Sequence, residues 1–455
     1  MSGYALHREQ SRRPGKAPAK ALDAGLHATL ACALAGLLTA AWPGGARAQG
    51  VAPDSAQAAA PADTGWVEVG GKDAFSATDP FADLPSAEDE GPVRPEGGRL
   101  FPYLTYNRVD AYTLGLDESF HPSRGWLPGF TTRMARAFGR ENGPDQSDGR
   151  WLYAMRLEQP LDSKRRGNLG ISVYRRTDDD EFGQVGDVEN ALAALFFHWD
   201  YKDWFEREGY GLDGDWTFRE RWRVSGRYDQ DTYRSITELA NGERGVFRRS
   251  AAWRDNPAVD DGNLRAVTFG LGFDSRSNKK TPRRGMYHQL RVETAGGDLG
   301  GDLGYKRYTA DLRAYFSPGP SHTAKVRAYF GTTSEGDFLP FQKTFAIGGI
   351  GTLRAYPFRQ YRGRHLFLTN GDWTWEMFKR SSKNAMLKTG FAVVGFTDFG
   401  LAWDAPTWDL GQRRPAWDAG LGLGTTDETL RVYFAKDLRS ASSPIHVTLR
   451  IARSY

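Results

Sequence analysis

The chain has almost no cysteine and no long hydrophobic run, and neither sign of charge prevails. Its one cysteine, Cys32, lies within the apolar stretch "LACALAGLLTAAW" (Leu30–Trp42). A run this short falls well below the roughly 20 apolar residues that a membrane-spanning helix needs. Arg8, Arg12, Arg13, Lys16 and Lys20 precede it, and "ARA" at Ala46–Ala48 forms a small-x-small site before Gln49. This pattern predicts an export signal over residues 1–48. A lipid-modified cysteine would follow the apolar run rather than lie inside it. Once the signal is removed the chain has no thiol, which excludes disulfides, a cysteine nucleophile and a Cys-based metal site.

Lys and Arg number 60 against 56 Asp and Glu, so there is no basic excess to suggest a nucleic-acid partner. Histidines are few, and those past the signal (His121, His198, His288, His322, His365 and His446) stand apart from one another. The densest polar cluster around one, "HWDYKD" at 198–203, lacks zinc-ligand spacing and a nearby serine. It reads as an interfacial helix with a half-buried His198. There is no G-x-S-x-G, P-loop or dinucleotide fingerprint. No catalytic residue, metal or cofactor is therefore expected, and the chain is not expected to be an enzyme.

What is plentiful is glycine (53 residues) and aromatics (26 Phe, 19 Tyr and 14 Trp). The mean hydropathy of −0.58 resembles that of a soluble protein. Membrane β-barrels escape such averages, because only alternate residues of each strand face lipid. Residues 49–98 are rich in Ala, Pro, Asp and Gly, a composition that reads as a disordered, acidic periplasmic tail or linker. Within it "GWVEVGGKDAF" reads as a strand or a docking peptide.

From Leu100 onward period-two alternation dominates. Val267, Phe269, Leu271 and Phe273 oppose Ala266, Thr268, Gly270, Gly272 and Asp274; Tyr308, Ala310, Leu312, Ala314 and Phe316 oppose Thr309, Asp311 and Arg313. Each is a strand with one apolar and one polar face. A soluble sandwich would turn the apolar faces inward, and a membrane barrel would turn them toward lipid. Strands of about ten residues match a tilted crossing of the hydrocarbon layer. The expected fold is thus all-β, a transmembrane antiparallel barrel over about 101–455, reached across a bilayer partner. Fifteen strand candidates can be counted, and bacterial single-chain barrels have even numbers. The expectation is sixteen strands, the missing one being "FPYLTYN" (101–107) or, second, "GWVEVGG". Residues 187–207 read as a short amphipathic helix in a long loop. The closing segment "IHVTLRIARSY" alternates and ends in an aromatic; in this it resembles the C-terminal targeting signal of bacterial outer-membrane barrels, which implies that role for Leu449, Ile451 and Tyr455.

The segment "GGIGTLRAYPFRQYRGRHLF" precedes the last five strands. "GFTDFG" (Phe396, Asp398, Gly400) sits on the second strand after it. Together they resemble the signature of the BamA/TamA superfamily, outer-membrane barrels also called bacterial surface antigens. The weaker matches "FDSRSNKKTPRRG" (273–285) and "YNRVDAYTLGL" extend the resemblance over about 101–455. It implies an extracellular loop folded back into the lumen, entered through Gly348, Gly349 and Gly351, with the tip Leu353-Arg354-Ala355-Tyr356. Ala355 stands where the family has glycine. The resemblance further implies that Arg354 pairs with Asp398, with Glu376 on the intervening strand as a further partner. Arg359, Arg362 and Arg364 are then expected to line the aqueous mouth. Residues 49–98 are too short to supply a POTRA domain, so a barrel without POTRA domains is expected.

The function implied is outer-membrane protein insertion or polypeptide transport, in the bacterial outer membrane. The partners implied are a periplasmic or secreted polypeptide substrate and the barrel assembly machinery for the chain's own insertion. A passive diffusion porin or a structural outer-membrane protein remains the alternative, and an outer-membrane lipase a further one.

Overall fold

The computed structural model describes residues 67–70, 97–122, 126–139, 150–164, 166–179, 185–239, 253–279, 281–334, 338–378, 390–404, 413–426, 428 and 430–450. A short strand β1 (Val67–Gly70) precedes the wall. The wall begins with β2 (Gly97–Asn107), β3 (Ala111–His121), β4 (Gly129–Ala137), β5 (Arg150–Pro160) and β6 (Gly167–Asp178). After helix α1 (Asp187–Phe197) come β7 (Phe205–Phe218), β8 (Trp222–Ser235), β9 (Gly262–Asp274), β10 (Gly285–Ala295), β11 (Tyr305–Gly319) and β12 (His322–Thr333). A small inner hairpin, β13 (Phe345–Ile347) and β14 (Tyr361–Gly363), interrupts the order. The wall then resumes with β15 (His365–Phe378), β16 (Phe391–Trp403), β17 (Ala416–Thr425), β18 (Arg431–Asp437) and β19 (Ile445–Arg450).

Sixteen antiparallel strands, β2–β12 and β15–β19, each pair with the next in one continuous sheet that runs from β2 to β19. The remaining edge of β19 is covered by β1, which keeps that row of backbone groups from standing open. Among the described residues no helix is long and apolar enough to cross a membrane, which leaves the crossing to strands. The longest connections lie together. Those at 179–204, 236–261 and 334–364 share one end of the barrel, and tight turns such as 219–221 and 320–321 lie at the other. Barrels of this kind have long extracellular loops and short periplasmic turns, so the first end is the outer one.

The burial pattern is that of a soluble protein turned inside out. On β9 Phe269 is 63% exposed, while Arg327, on the inner face of β12, is 0% exposed. Leu271, Leu290, Val292, Tyr308 and Phe316 share the outer face with Phe269. Asp311 and Arg313 are buried on the inner face, where Arg313 and Arg327 both bond the Asp311 carboxylate. A continuous exposed apolar belt is a lipid surface, and a charge-lined interior needs such pairing. Phe269→Arg should therefore cost about 2–4 kcal/mol near the midplane. Thr268→Gln, one residue along on the lumen side, should cost little. Urea titration of the folded barrel in vesicles measures both, and equal losses would show that the alternation does not mark a lipid face.

The sixteenth strand is the one expected around 101–107, and it begins at Gly97. "GWVEVGG" supplies β1 instead, which pairs in parallel with β19, Val67 opposite Val447. The signal over 1–48, most of the 49–98 tail, and Ile451 and Tyr455 of the targeting signal lie outside the described residues; Leu449 lies on β19, opposite Val432. The helix expected over 187–207 ends at Phe197, where His198 takes a left-handed conformation (φ 59°).

Candidate functional site: the lumen loop and the outer cap

The connection 334–364 turns inward because its backbone is shaped for a tight approach. Gly348, Gly349 and Gly351 have φ of +130°, +76° and +79°, a region that side chains disfavour. A Cβ on Gly348 would lie 2.2 Å from the Pro357 carbonyl oxygen. The turn is held by the Gly348 amide donating to Thr352 Oγ1 at 2.9 Å and by the Gly349 amide donating to the Leu353 carbonyl at 2.9 Å. Leu353, Ala355 and Tyr356 pack in one buried cluster with Leu366, Leu368, Val394, Phe396 and Tyr433 of the wall. Gly348→Ala should therefore unseat the tip, costing about 1–2 kcal/mol for the φ alone plus the contact with Pro357. The measurable outcome is a lower yield of heat-resistant folded barrel on gels; an unchanged yield would argue against the turn's role.

At the tip Arg354 is buried among carboxylates. Its Nη2 donates to Asp372 Oδ1 at 2.8 Å, and its Nε lies 3.4 Å from Asp398 Oδ2. The guanidinium also lies over the rings of Phe396 and Tyr433, 4.1 and 4.7 Å from their centroids. Sheet register explains the convergence. Asn370, Asp398 and Asp418 sit directly opposite one another across β15, β16 and β17. Asn370 donates to Asp398 Oδ1 at 2.8 Å and to the Thr352 carbonyl at 2.7 Å. Ala355, with no positive φ, donates its amide to Asp418 Oδ2 at 3.1 Å, so the turn does not need the family's glycine. Tyr356 donates its hydroxyl to Asp437 Oδ1 at 2.6 Å on β18. Asp372, Asp398 and Asp418 thus share the Arg354 guanidinium, the Asn370 side-chain amide and the backbone amides of Ala355 and Arg354, the last donating to Asp398 Oδ2 at 3.4 Å.

Two expectations about this site need correction. Glu376 is not a partner of Arg354 but pairs with Arg283 of the β9–β10 turn. It faces the lumen four residues beyond Asp372, about 13 Å further along β15 toward the inner end. Asp372 and Asp418, not singled out from the sequence, stand in its place. Arg359 and Arg362 do not line an open mouth. Both converge on the carboxylate of Asp203, Arg362 at 3.0 Å, and the Arg359 side chain is buried. Arg364 keeps a peripheral position, donating its amide to Asp404 Oδ1 at 2.9 Å.

Asp203 is the hub of a cap across the outer end. Arg254 bonds it at 2.6 Å, and Arg108, in the β2–β3 turn, lies 3.8 Å away. Arg108 also donates to the Lys202 carbonyl at 2.7 Å and to Asn256 Oδ1 at 2.8 Å, and pairs with Asp200 at 3.1 Å. Burial draws the Arg108 guanidinium down to about 10. Asn190 of α1 donates to Asp200, and His198, at the helix end, is buried against Trp253 at 4.2 Å between centroids. So "HWDYKD" is a stitched loop core rather than an interfacial segment with a half-exposed histidine. Among the described residues no group of His, Cys, Asp and Glu is arranged to hold a metal.

Residues 145–427 match the Omp85 superfamily domain. A segment of 153 residues is 28% identical to the outer membrane protein assembly factor BamA of Nitratidesulfovibrio vulgaris, and covers 30% of this chain but only 18% of that protein. Among solved structures, BamA from Haemophilus ducreyi lacking POTRA domains 1–3 superposes with a TM-score of 0.52 at 11% identity, over 78% of this chain and 69% of that one. CdiB from Acinetobacter baumannii gives 0.41 at 11% identity, over 77% and 57%.

Proposed function

Because the chain belongs to the Omp85 superfamily of bacterial outer-membrane β-barrels, we propose that it inserts or translocates polypeptides at the outer membrane. The observation that carries this reading is the loop tip, with Arg354 seated on Asp372 and Asp398 inside the lumen. A guanidinium fork fixed by two carboxylates gives the loop one seated position. That position leaves the outer cap, built partly from the same loop through Arg359 and Arg362, closed over the barrel. The work is transport or insertion, with no covalent step assigned. Residues 1–48 serve as the export signal, 49–98 as a periplasmic linker, and 101–455 as the barrel. Its partners are the bilayer, an unfolded polypeptide arriving from the periplasm, and the assembly machinery that inserts the barrel itself. Leu449, Ile451 and Tyr455 form the signal that machinery reads.

The test is reconstitution. Vesicles carrying the folded protein should protect an added unfolded outer-membrane or secreted polypeptide from protease, and empty vesicles should not. Equal protection in both would refute the reading. A diffusion porin is the competing assignment, and planar-bilayer recording separates the two. Small, flickering currents are expected from a lumen occupied by a loop and covered by a cap; a large, steady pore would identify the porin.

A further inference from the structure

Three successive inner turns, β5–β6, β7–β8 and β9–β10, carry a concentration of cations that the lumen loop and the outer cap do not use. Lys164, Arg166, Arg219, Arg221, Lys279 and Arg284 are all exposed there. Lys164, Arg219, Arg221 and Arg284 form no ion pair among the described residues, while Arg166, Arg223 and Arg276 in the same arc pair with Asp162, Asp215 and Asp274. The strands β5 to β10 are consecutive in the sheet, so the three turns form one unbroken arc of the rim. The β10–β11 turn, "GGDLGGDLG", carries Asp298 and Asp302 and no cation.

Directly above the arc the lipid-facing wall ends in exposed aromatics, Trp216, Phe218 and Trp222. Phe218 and Trp222 stack across the β7–β8 turn at 6.4 Å. The Arg166 guanidinium lies over the Trp216 ring at 5.6 Å, so this cation leans toward the lipid side rather than the mouth. Aromatic side chains of this kind mark the headgroup level of a bilayer. Cations set just beyond such a belt lie where lipid phosphates are found.

The geometry points to an anionic-phospholipid site on this arc, which holds lipid headgroups of the membrane's inner face against the rim. The continuity of the cations with the aromatic belt is what favours lipid over an acidic polypeptide entering the lumen. The lipid phosphates supply the carboxylate-like partners that Lys164, Arg219, Arg221 and Arg284 lack.

The full folded chain, placed in phosphatidylcholine vesicles with trace spin-labelled lipids, gives the test. Spin-labelled phosphatidylglycerol should associate with the barrel about fivefold more strongly than spin-labelled phosphatidylcholine. The preference should fall close to one in a variant with Arg219→Gln, Arg221→Gln, Lys279→Gln and Arg284→Gln. Asp298→Asn, on the outer turn, should leave it unchanged. Should the quadruple variant fail to fold, the wild-type protein still decides, because about 1 M salt should remove most of the preference by screening. Equal association of the two lipids, or a preference insensitive to salt, would overturn the proposal. So would a poly-glutamate peptide that binds the barrel and displaces phosphatidylglycerol, since that would assign the arc to polypeptide instead.

Discussion

Arg354→Ala should cost the folded barrel about 3–5 kcal/mol, the range seen when one partner of a buried ion pair is removed. The size follows from what stays behind. Asp372, Asp398 and Asp418 are buried on three adjacent strands, and Arg354 is the cation bonded to the first two. Without it the Asp372 carboxylate loses its 2.8 Å donor, and Asp398 keeps Asn370 as its side-chain donor. Asp372→Asn alone should cost less, because an amide still accepts a bond from the guanidinium. The double variant should be milder than the sum, because the first change removes the charge that makes the second harmful. Arg354→Lys should restore part of the loss, since a point charge cannot engage two carboxylates and two rings at once. Urea titration of the barrel in vesicles, with heat-resistant migration on gels as the fold check, measures all four. Strict additivity of Arg354→Ala and Asp372→Asn would show that the two side chains do not act as a pair.

The second large effect is expected at Asp203. Asp203→Ala takes away the anion shared by Arg254, Arg359, Arg362 and the more distant Arg108. The clustered guanidiniums then repel one another in a buried setting, and the cap should lose about 3 kcal/mol or more. Loss of the cap rather than of the barrel is the distinguishing sign. The outer connections should become protease-sensitive and single-channel currents should grow, while gel migration of the folded barrel persists. Retained protease resistance would show that the cap stands without its hub. Acid should mimic the substitution only at an extreme. Burial alone would raise the Asp203 pKa, but Arg359, Arg254 and Arg362 outweigh it and hold it well below the ordinary value of 3.8. A depressed carboxylate contributes its stability fully above the unfolded value and loses it as pH falls through the folded one. The Asp203 contribution should therefore be flat from about pH 5 upward and decline only below about pH 4.

The wall was readable because alternation is a local property. Phe269 against Thr268, or Asp311 against Leu312, declares its face from neighbours alone, and the orientation of the belt follows. The tip was readable in part. Parity puts Asp372, Asp398 and Glu376 all on the lumen side, but which one meets Arg354 depends on how far the loop descends along β15. That depth is set by the Gly348–Leu353 turn and by packing against Leu366, Val394 and Tyr433, which are far away in sequence. Asp418 becomes significant only once β16–β17 register places it opposite Asp398. The cap was not readable at all. Bonds such as those from Arg108 to Asp200 and from Asp203 to Arg362 join connections 92 and 159 positions apart. Single arginines in glycine-rich segments then look like solvated loop charge.

Arg108 gives the cap a mechanical meaning. The residue belongs to the turn joining the first two wall strands, yet its main-chain amide and its guanidinium are bonded to Asp200, Lys202 and Asn256 in two other connections. The first hairpin is therefore pinned at its outer end by bonds that do not belong to the sheet, and its tip can lift only if its ties to those two connections break with it.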